Sequence, residues 1–457
     1  MQLNLAGFCD TMSFHVSLLT AQFHDEAIGK IFDDAQFALY LLHTEAALAR
    51  AEAALNIIPA SAAQAITQVA ASLQVDWDRL RIETERDGVP ITELVRQLRA
   101  HLNEDAKPFV HWGATTQDIL DTALVLQLRD ALNIIEPNLQ SLISNLSSLA
   151  DKHRNTLMAG RTHSQQALPI TFGFKVANWL APVLRHRERL AQLKPRVLVV
   201  QFGGAVGTLA ALGEWGLPVQ EAFARELELG VLSLPWHTQR DGLAELASWL
   251  SLVTGSLGKM AQDIILMAQS EVGELSESAD PTRGGSSTMP QKSNPIVSER
   301  IVAAARTNAS MLAAMHQALI QEHERATHGW QMEWLSLPHM LSLTAGALSS
   351  ANFLAANLVV DAQRMVANVN ASNGLMLAEQ LSLALTPTLG REKAKQVLRQ
   401  ACETALHENR NLVDVLQASP DSPDLYWDAL RDERNYLGAT QEFIDRVMKN
   451  ADDLLTY

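Results

Sequence analysis

The sequence predicts a mainly α-helical protein built around a bundle of long helices. Three observations carry this. Hydrophobic residues make up 47% of the chain but aromatic residues only 5%, with 4 Tyr. Strands draw on β-branched and aromatic side chains between frequent turns, and this composition does not offer them. Helical patterning runs through almost the whole chain. Several apolar stretches, roughly 117–153, 169–200, 241–273, 297–322 and 335–370, exceed the length of ordinary globular helices.

Taken in order, residues 27–56 are rich in Ala, Leu and Glu, and the pattern stops at Pro59. A second helical patch spans about 61–102 and is interrupted at Asp87-Gly88-Val89-Pro90. The long segments follow. A thirty-residue helix is about 45 Å long. Ile119, Leu120, Ala123, Leu124, Val125, Leu126 and Leu128 cover nearly the whole circumference of the first of them. Such helices sit at a bundle centre or in an interface between subunits. Pro137 and Pro182 fall inside two of them and should bend them locally. From Leu335 to Val360 no Asp, Glu, Lys or Arg occurs. The same stretch holds Ser336, His339, Ser342, Thr344, Asn352 and Asn357, too many polar groups for a lipid-facing span, so a helix buried in protein on all sides is expected. Beyond Asp361 the helical runs shorten and charge returns, with Pro420 and Pro423 marking loops. The expected organisation is an N-terminal helical domain (1–110), a central long-helix domain (111–360) and a C-terminal helical domain (361–457).

The charge balance excludes several functions. With 36 basic and 51 acidic residues the formal net charge is −15, unsuited to coating nucleic acid or an anionic membrane. Cys9 and Cys402, far apart, make neither a disulfide framework nor a Cys-rich zinc site, and suit a reducing cytoplasm. The first Lys or Arg is Lys30, so the start lacks the basic region of a signal peptide. Fourteen His show no metal-binding spacing. Gly203-Gly204-Ala205-Val206-Gly207 lacks the βαβ context of a dinucleotide site, and no Walker loop is present. No metal and no cofactor are therefore expected.

Three polar islands interrupt the helical pattern. Residues 276–295 read SESADPTRGGSSTMPQKSNP, where two glycines permit unusual backbone angles and Pro290 and Pro295 forbid helix. A loop this long is either disordered or functional. Ser286, Ser287, Thr288, Lys292 and Asn294 crowd into nine positions, and N–H groups around paired glycines can form an anion-binding nest. His111 to Asp118 reads HWGATTQD. Thr115 and Asp118 fit a capping box, which leaves His111, Gly113, Thr116 and Gln117 unexplained; a hydroxyl-lined helix N-terminus suits a carboxylate. Gly160 to Pro169 reads GRTHSQQALP. A helix–helix turn needs the Gly and the Pro, but not Arg161, Thr162, His163 and Gln165 together. WHTQR (236–240) and EHERATHGWQMEW (322–334) are weaker candidates. Arg161, Arg240 and Arg325 are candidate carboxylate forks, each with a structural ion pair as the alternative.

The segment GSSTMPQKSNP (285–295) resembles the signature loop of the fumarase/aspartase superfamily. GATTQD and GRTHSQ are similar to its two other characteristic regions, in the same order. HERATHGWQMEWLSLP has the layout of the branch holding adenylosuccinate lyases and cycloisomerases. In adenylosuccinate lyases the place of Trp334 is usually Arg, and a His-Asp-Val stands where this chain has Asp87-Gly88-Val89. Both departures remove groups expected for a nucleotide substrate. HWGATTQDILDTALVLQLRDAL and LPWHTQRDGLAELASWLSLVTGSLGKMAQDI look like the cycloisomerases, and the likeness covers roughly residues 20–440.

The resemblance implies a three-domain, fumarase/aspartase-like subunit in a homotetramer, with a central bundle of long helices and active sites shared between subunits. It implies a small polycarboxylate substrate and lactonisation of 3-carboxymuconate; the alternative is an adenylosuccinate lyase-like release of fumarate. Ser286 would exchange the carbon proton. Lys292, Asn294, Thr115, Thr116 and loop N–H groups would face the developing negative charge. Arg161, Thr162, Gln165, Arg240, Ser287 and Arg325 would bind substrate. His163, an acid/base in the lyases, would bind or transfer a proton here.

Overall fold

The computed structural model describes residues 17–278, 284–285, 288–289, 292–325 and 327–455. The protein is mainly α-helical. The chain enters through α1 (Glu26–Ile31), α2 (Asp34–Ala54), α3 (Ala60–Ser72), α4 (Trp77–Asp87) and α5 (Ile91–Ala100). Local chemistry sets these ends. Asp33 caps α2 by accepting from Gln36 N at 2.6 Å, and Asp76 caps α4 by accepting from Arg79 N at 3.1 Å. Gly88 ends α4 in the left-handed conformation, the break the sequence places there.

The long helices are α6 (Thr116–Lys152), α7 (Phe172–Val197), α9 (Asp241–Met267), α10 (Ile296–Gln317) and α11 (Gly329–Asn357), with the shorter α8 (Gly216–Leu227) between α7 and α9. They match the long segments read from sequence, with two corrections. The chain between α6 and α7 is not a plain turn but an antiparallel hairpin, β1 (Leu157–Thr162) and β2 (Gln165–Thr171). The stretch read as 335–370 is broken after Asn357: β4 (Val359–Val360) pairs with β3 (Leu275–Ser276), and Asp361 then caps α12 (Ala362–Asn370). The remaining helices, α13 (Ala378–Leu389), α14 (Arg391–Glu408), α15 (Leu412–Gln417), α16 (Trp427–Arg431) and α17 (Thr440–Leu455), are short, as the sequence implies.

Two compact units can be distinguished. One comprises Met1–Asn138, His186–Gly255 and Ala303–Leu348; the other comprises Leu139–Arg185, Ser256–Val302 and Ser349–Tyr457. In the first, Ile119, Leu120, Ala123, Val125, Leu126 and Leu128 of α6 are buried, as expected of an all-round apolar helix. Polar pins cross the apolar layers. Asn308 Nδ2 of α10 donates to Thr344 Oγ1 of α11 at 3.0 Å, and Trp249 Nε1 of α9 donates to the His186 carbonyl of α7 at 3.0 Å. In the second unit, Trp179 Nε1 donates to Asp263 at 2.8 Å, and Leu381, Leu385, Val397, Leu412, Leu416 and Trp427 build a separate core. The expectation that 335–360 is buried on all sides needs correction within one chain: Leu337, Met340, Leu341 and Leu348 are buried, but Leu335 is 73% exposed. Among the described residues no helix is long and apolar enough to cross a membrane.

A buried acidic pair lies in the first unit. Glu45 and Glu52 share a face of α2, and both Glu52 carboxylate oxygens lack a hydrogen-bond partner among the described residues. Burial, with the Glu45 charge added, pushes the Glu52 carboxyl up to about 9. A carboxyl whose folded pKa is raised contributes stability at low pH and loses it between its ordinary value and the raised one. Glu52→Gln should therefore raise the thermal midpoint at pH 8 and leave it nearly unchanged near pH 4.5. Each pH unit in that window is worth about 1.4 kcal/mol. Unfolding curves of both proteins across pH 4.5–8 measure this; a pH-independent difference would contradict it.

Candidate active site

The first polar island is organised by Asp118. Thr115 N donates to Asp118 Oδ2 at 3.0 Å, one half of the expected capping box. The fully buried carboxylate also accepts from Gly203 N and Gly204 N, both at 2.9 Å, and lies 2.7 Å from His237 Nε2. The glycine-rich segment 203–207 thus serves as an attachment for α6. The structure brings Thr115 and Arg325 together: Arg325 Nη1 donates to Thr115 Oγ1 at 2.5 Å, and both side chains are half-buried. Thr116 opens α6 beside them. His111, at φ 61°, places Nδ1 2.6 Å from Glu45 Oε1. Burial works against its charge, but Glu45 outweighs it, and the imidazole titrates above its ordinary value.

One turn along α6, Asp121 takes Arg240 Nη1 at 2.6 Å and Nη2 at 3.0 Å, and Trp330 Nε1 at 2.9 Å. Glu333 takes Arg240 Nε at 2.9 Å and also its Nη2. The guanidinium stacks on Trp236, 4.7 Å from the ring centroid. Arg240 is 2% exposed with every nitrogen committed, so the structure corrects its expected role as a substrate fork: it is a buried structural cation. Burial opposes its charge, yet Asp121 and Glu333 hold it well above the usual range. Beside this cluster a cavity of about 280 Å³ is lined by Phe32, Phe37, Leu120, Leu124, Trp334 and Pro338.

The second island is the β1–β2 hairpin. Thr162 pairs with Gln165, leaving His163 and Ser164 as a two-residue turn with φ of 50° and 64°. Both residues of such a turn need positive φ, which Asn-Gly adopts readily and His-Ser adopts under strain. The turn presents Thr162, His163 and Gln165 exposed. Arg161 points elsewhere. Its Nη1 and Nη2 donate to Glu274 at 2.9 and 2.6 Å, so the fork expected for a substrate carboxylate is occupied by the chain's own.

The third island is described only at its neck. Ser286 and Ser287 lie outside the described residues. Gly285 and Ser293 form an isolated bridge, and the Gly284 carbonyl accepts from both Asn294 N and Asn294 Nδ2 at 2.9 Å. Gly284 has φ 67°, and a Cβ there would collide with the Asn294 backbone. The Asn294 amide therefore closes the neck, while Lys292 stands exposed beyond it. Glu277, outside the neck, accepts from Val297 N at 3.0 Å and Ser298 N at 2.6 Å, fixing the start of α10.

The roles of Asp121, Glu274, Glu277 and Glu333 escape the sequence reading, and Asp118 is legible there only as a capping residue, because acidic residues in helical patterns read as solvated faces. One signal was present: Asp118 and Asp121 stand three apart at the apolar start of α6, on the same side of the helix. No group of three or more His, Cys, Asp or Glu among the described residues is placed to hold a metal ion.

A family model described as "Lyase" matches residues 21–307, and one described as "Adenylosuccinate lyase C-terminus" matches 374–447. The chain is 43% identical to the 3-carboxy-cis,cis-muconate cycloisomerase of Pseudomonas aeruginosa over 94% of its own length and 95% of that protein. It is 41% identical to the enzyme of that name from Acinetobacter baylyi, over 95% of this chain and 98% of the other. The crystal structure of 3-carboxy-cis,cis-muconate lactonizing enzyme from Pseudomonas putida superposes with a TM-score of 0.91 at 42% identity, covering 96% of this chain and 100% of that one.

Removing one member of a buried charge set leaves the others uncompensated, at a cost of about 3–5 kcal/mol. Arg240→Met should destabilise the fold by that order, whereas Arg325→Met should cost at most about 1 kcal/mol, since its partner is a neutral hydroxyl. Denaturant unfolding of the two variants measures the contrast; equal losses would contradict it.

Proposed function

Because the chain belongs to the lyase family, we propose that it is a cycloisomerase closing 3-carboxymuconate to 4-carboxymuconolactone. The observation that carries the reading is the near full-length likeness to cycloisomerases. A substrate carboxylate adds across a double bond of the same molecule, so nothing is expelled. The electron pair moves toward the carbon beside a second carboxylate, giving an enolate-type species, and a proton is delivered to that carbon.

The roles of the residues follow from charge. The substrate carries three carboxylates and the chain a net charge of −15, so binding needs a local positive island. Arg325 with Thr115, the N-terminus of α6 at Thr116, and exposed Lys292 provide donors for carboxylate and enolate oxygens. Ser286 delivers the carbon proton, Ser287 binds substrate, and Asn294 closes the neck of the loop that carries them. His163, Thr162 and Gln165 sit on the exposed hairpin turn; His163 acts electrostatically on the charge that develops in the transition state, because no leaving group requires an acid. Arg161 and Arg240 contribute through their ion pairs. The active form is a homotetramer whose sites draw on more than one copy, consistent with large apolar side chains exposed on the long helices of one chain, Leu252, Leu266 and Leu335 among them. The division at about 110 and 360 into three domains belongs to the same reading.

An adenylosuccinate lyase-like activity is the second reading, favoured by the match at 374–447. Trp334 beside an apolar cavity, instead of a cation, opposes a phosphate-bearing substrate. Loss of diene absorbance on adding 3-carboxymuconate tests the proposal. Fumarate released from adenylosuccinate, with the diene left intact, would replace it by the second reading. Ser286→Ala should lower turnover by at least about a hundredfold, the usual scale for a proton-transfer group.

A further inference from the structure

Glu274 is completely buried and faces no cavity used above. Its carboxylate is filled by donors from two elements distant in sequence. Arg161 of β1 supplies two hydrogen bonds, and Asn368 of α12 donates Nδ2 at 2.8 Å to Oε1 and at 2.9 Å to the Val272 carbonyl. The backbone around Glu274 is fixed as well. Its N–H donates to the Met267 carbonyl at 2.9 Å, and its carbonyl accepts from Asp361 N at 3.0 Å. Three residues on, Glu277 locks the start of α10. The root of the 276–295 segment is therefore held on both sides.

The hairpin that carries Arg161 is irregular at that point. Its register shifts between Ala159 and Arg161, where Ala167 and Leu168 of β2 stand opposite the single residue Gly160, so the extra residue of the bulge lies on β2. A Cβ at Gly160 would stand 2.9 Å from the Leu168 carbonyl. A bulge locally disrupts the ladder and increases its twist, and this one lies beside Arg161, the next residue of β1 to be paired. Two residues later come His163 and Ser164 in their strained left-handed conformations. A strained turn persists only where its surroundings over-determine it.

We propose that Glu274 is a positioning residue: through Arg161 it fixes the hairpin turn carrying His163 to the root of the signature loop, and Arg161 serves the reaction through this pair instead of holding substrate. Displacing groups by about 1 Å costs up to about a hundredfold in rate. The loss should appear in kcat, because geometry and not ground-state binding is disturbed.

The test uses Glu274→Gln, Arg161→Gln, their double variant and Asn368→Ala, each characterised for kcat, KM, thermal midpoint and amide hydrogen exchange. Both single variants at the pair should lower kcat about 10- to 100-fold with KM within about threefold. Exchange at residues 162–165 should quicken by about tenfold or more. The double variant, with no unpaired buried charge, should regain the thermal midpoint but not kcat; a purely structural role requires rate to return with stability, which would overturn the proposal. A tenfold higher KM confined to Arg161→Gln, with Glu274→Gln unaffected, would make Arg161 a substrate ligand and also overturn it. Asn368→Ala, the mildest change, covers the case in which the others fail to fold; kcat and exchange both at wild-type values there would remove the clamp. The kinetic arm rests on the cycloisomerase reading, while the exchange arm does not. If no variant and no wild-type protein consumes 3-carboxymuconate, the function proposed above fails, and the exchange data alone decide the clamp.

Discussion

A carboxylate withdrawn from water must be met by donors or give up its charge, and much of this structure is arranged around that constraint. The bundle is made of Ala and Leu and offers few polar groups. Several acids buried in it draw together donors distant in sequence, while Glu52 keeps a proton instead. Asp118 gathers a helix start, a glycine-rich segment and a histidine. Asp121 and Glu333 share one arginine, and Glu274 takes another. In each of these cases the acid joins a polar island to the helices that carry it. The groups assigned to chemistry, among them half-buried Thr115 and Arg325 and exposed His163, are attached to these buried joints.

The same constraint explains what was legible in the sequence. Helix lengths were readable because apolar periodicity is local, and so was the break at Asp87–Pro90, because Gly and Pro act locally. The islands stood out because hydroxyls, amides and glycines cluster there against an apolar background. The hairpin at 157–171 was not readable. It is short, it lies between two strong helical patterns, and its turn uses His-Ser where Asn-Gly would have announced it.

The roles of the arginines were legible only as alternatives, since a guanidinium suits a ligand carboxylate and an internal one equally well. Three-dimensional pairing separated them. Arg240 disappears into Asp121 and Glu333, Arg161 turns to Glu274 beside a bulge, and Arg325 alone of the three keeps a neutral partner beside a helix N-terminus. The positive island for a tricarboxylate is thus smaller than the sequence suggests, and more dependent on hydroxyls and backbone N–H groups.

Glu52 carries a consequence for the whole molecule. At neutral pH the native carboxyl keeps a proton that the unfolded chain gives up. Folding is then coupled to the solvent's acid–base reservoir. The native chain is less negative than the −15 counted from its residues, and the heat of its unfolding contains the ionisation heat of whichever buffer accepts the released proton. Two buffers at one pH would yield two calorimetric enthalpies for the same structural event, and their difference reports the net proton release, in which the proton of Glu52 is counted together with the gains and losses of the buried imidazoles.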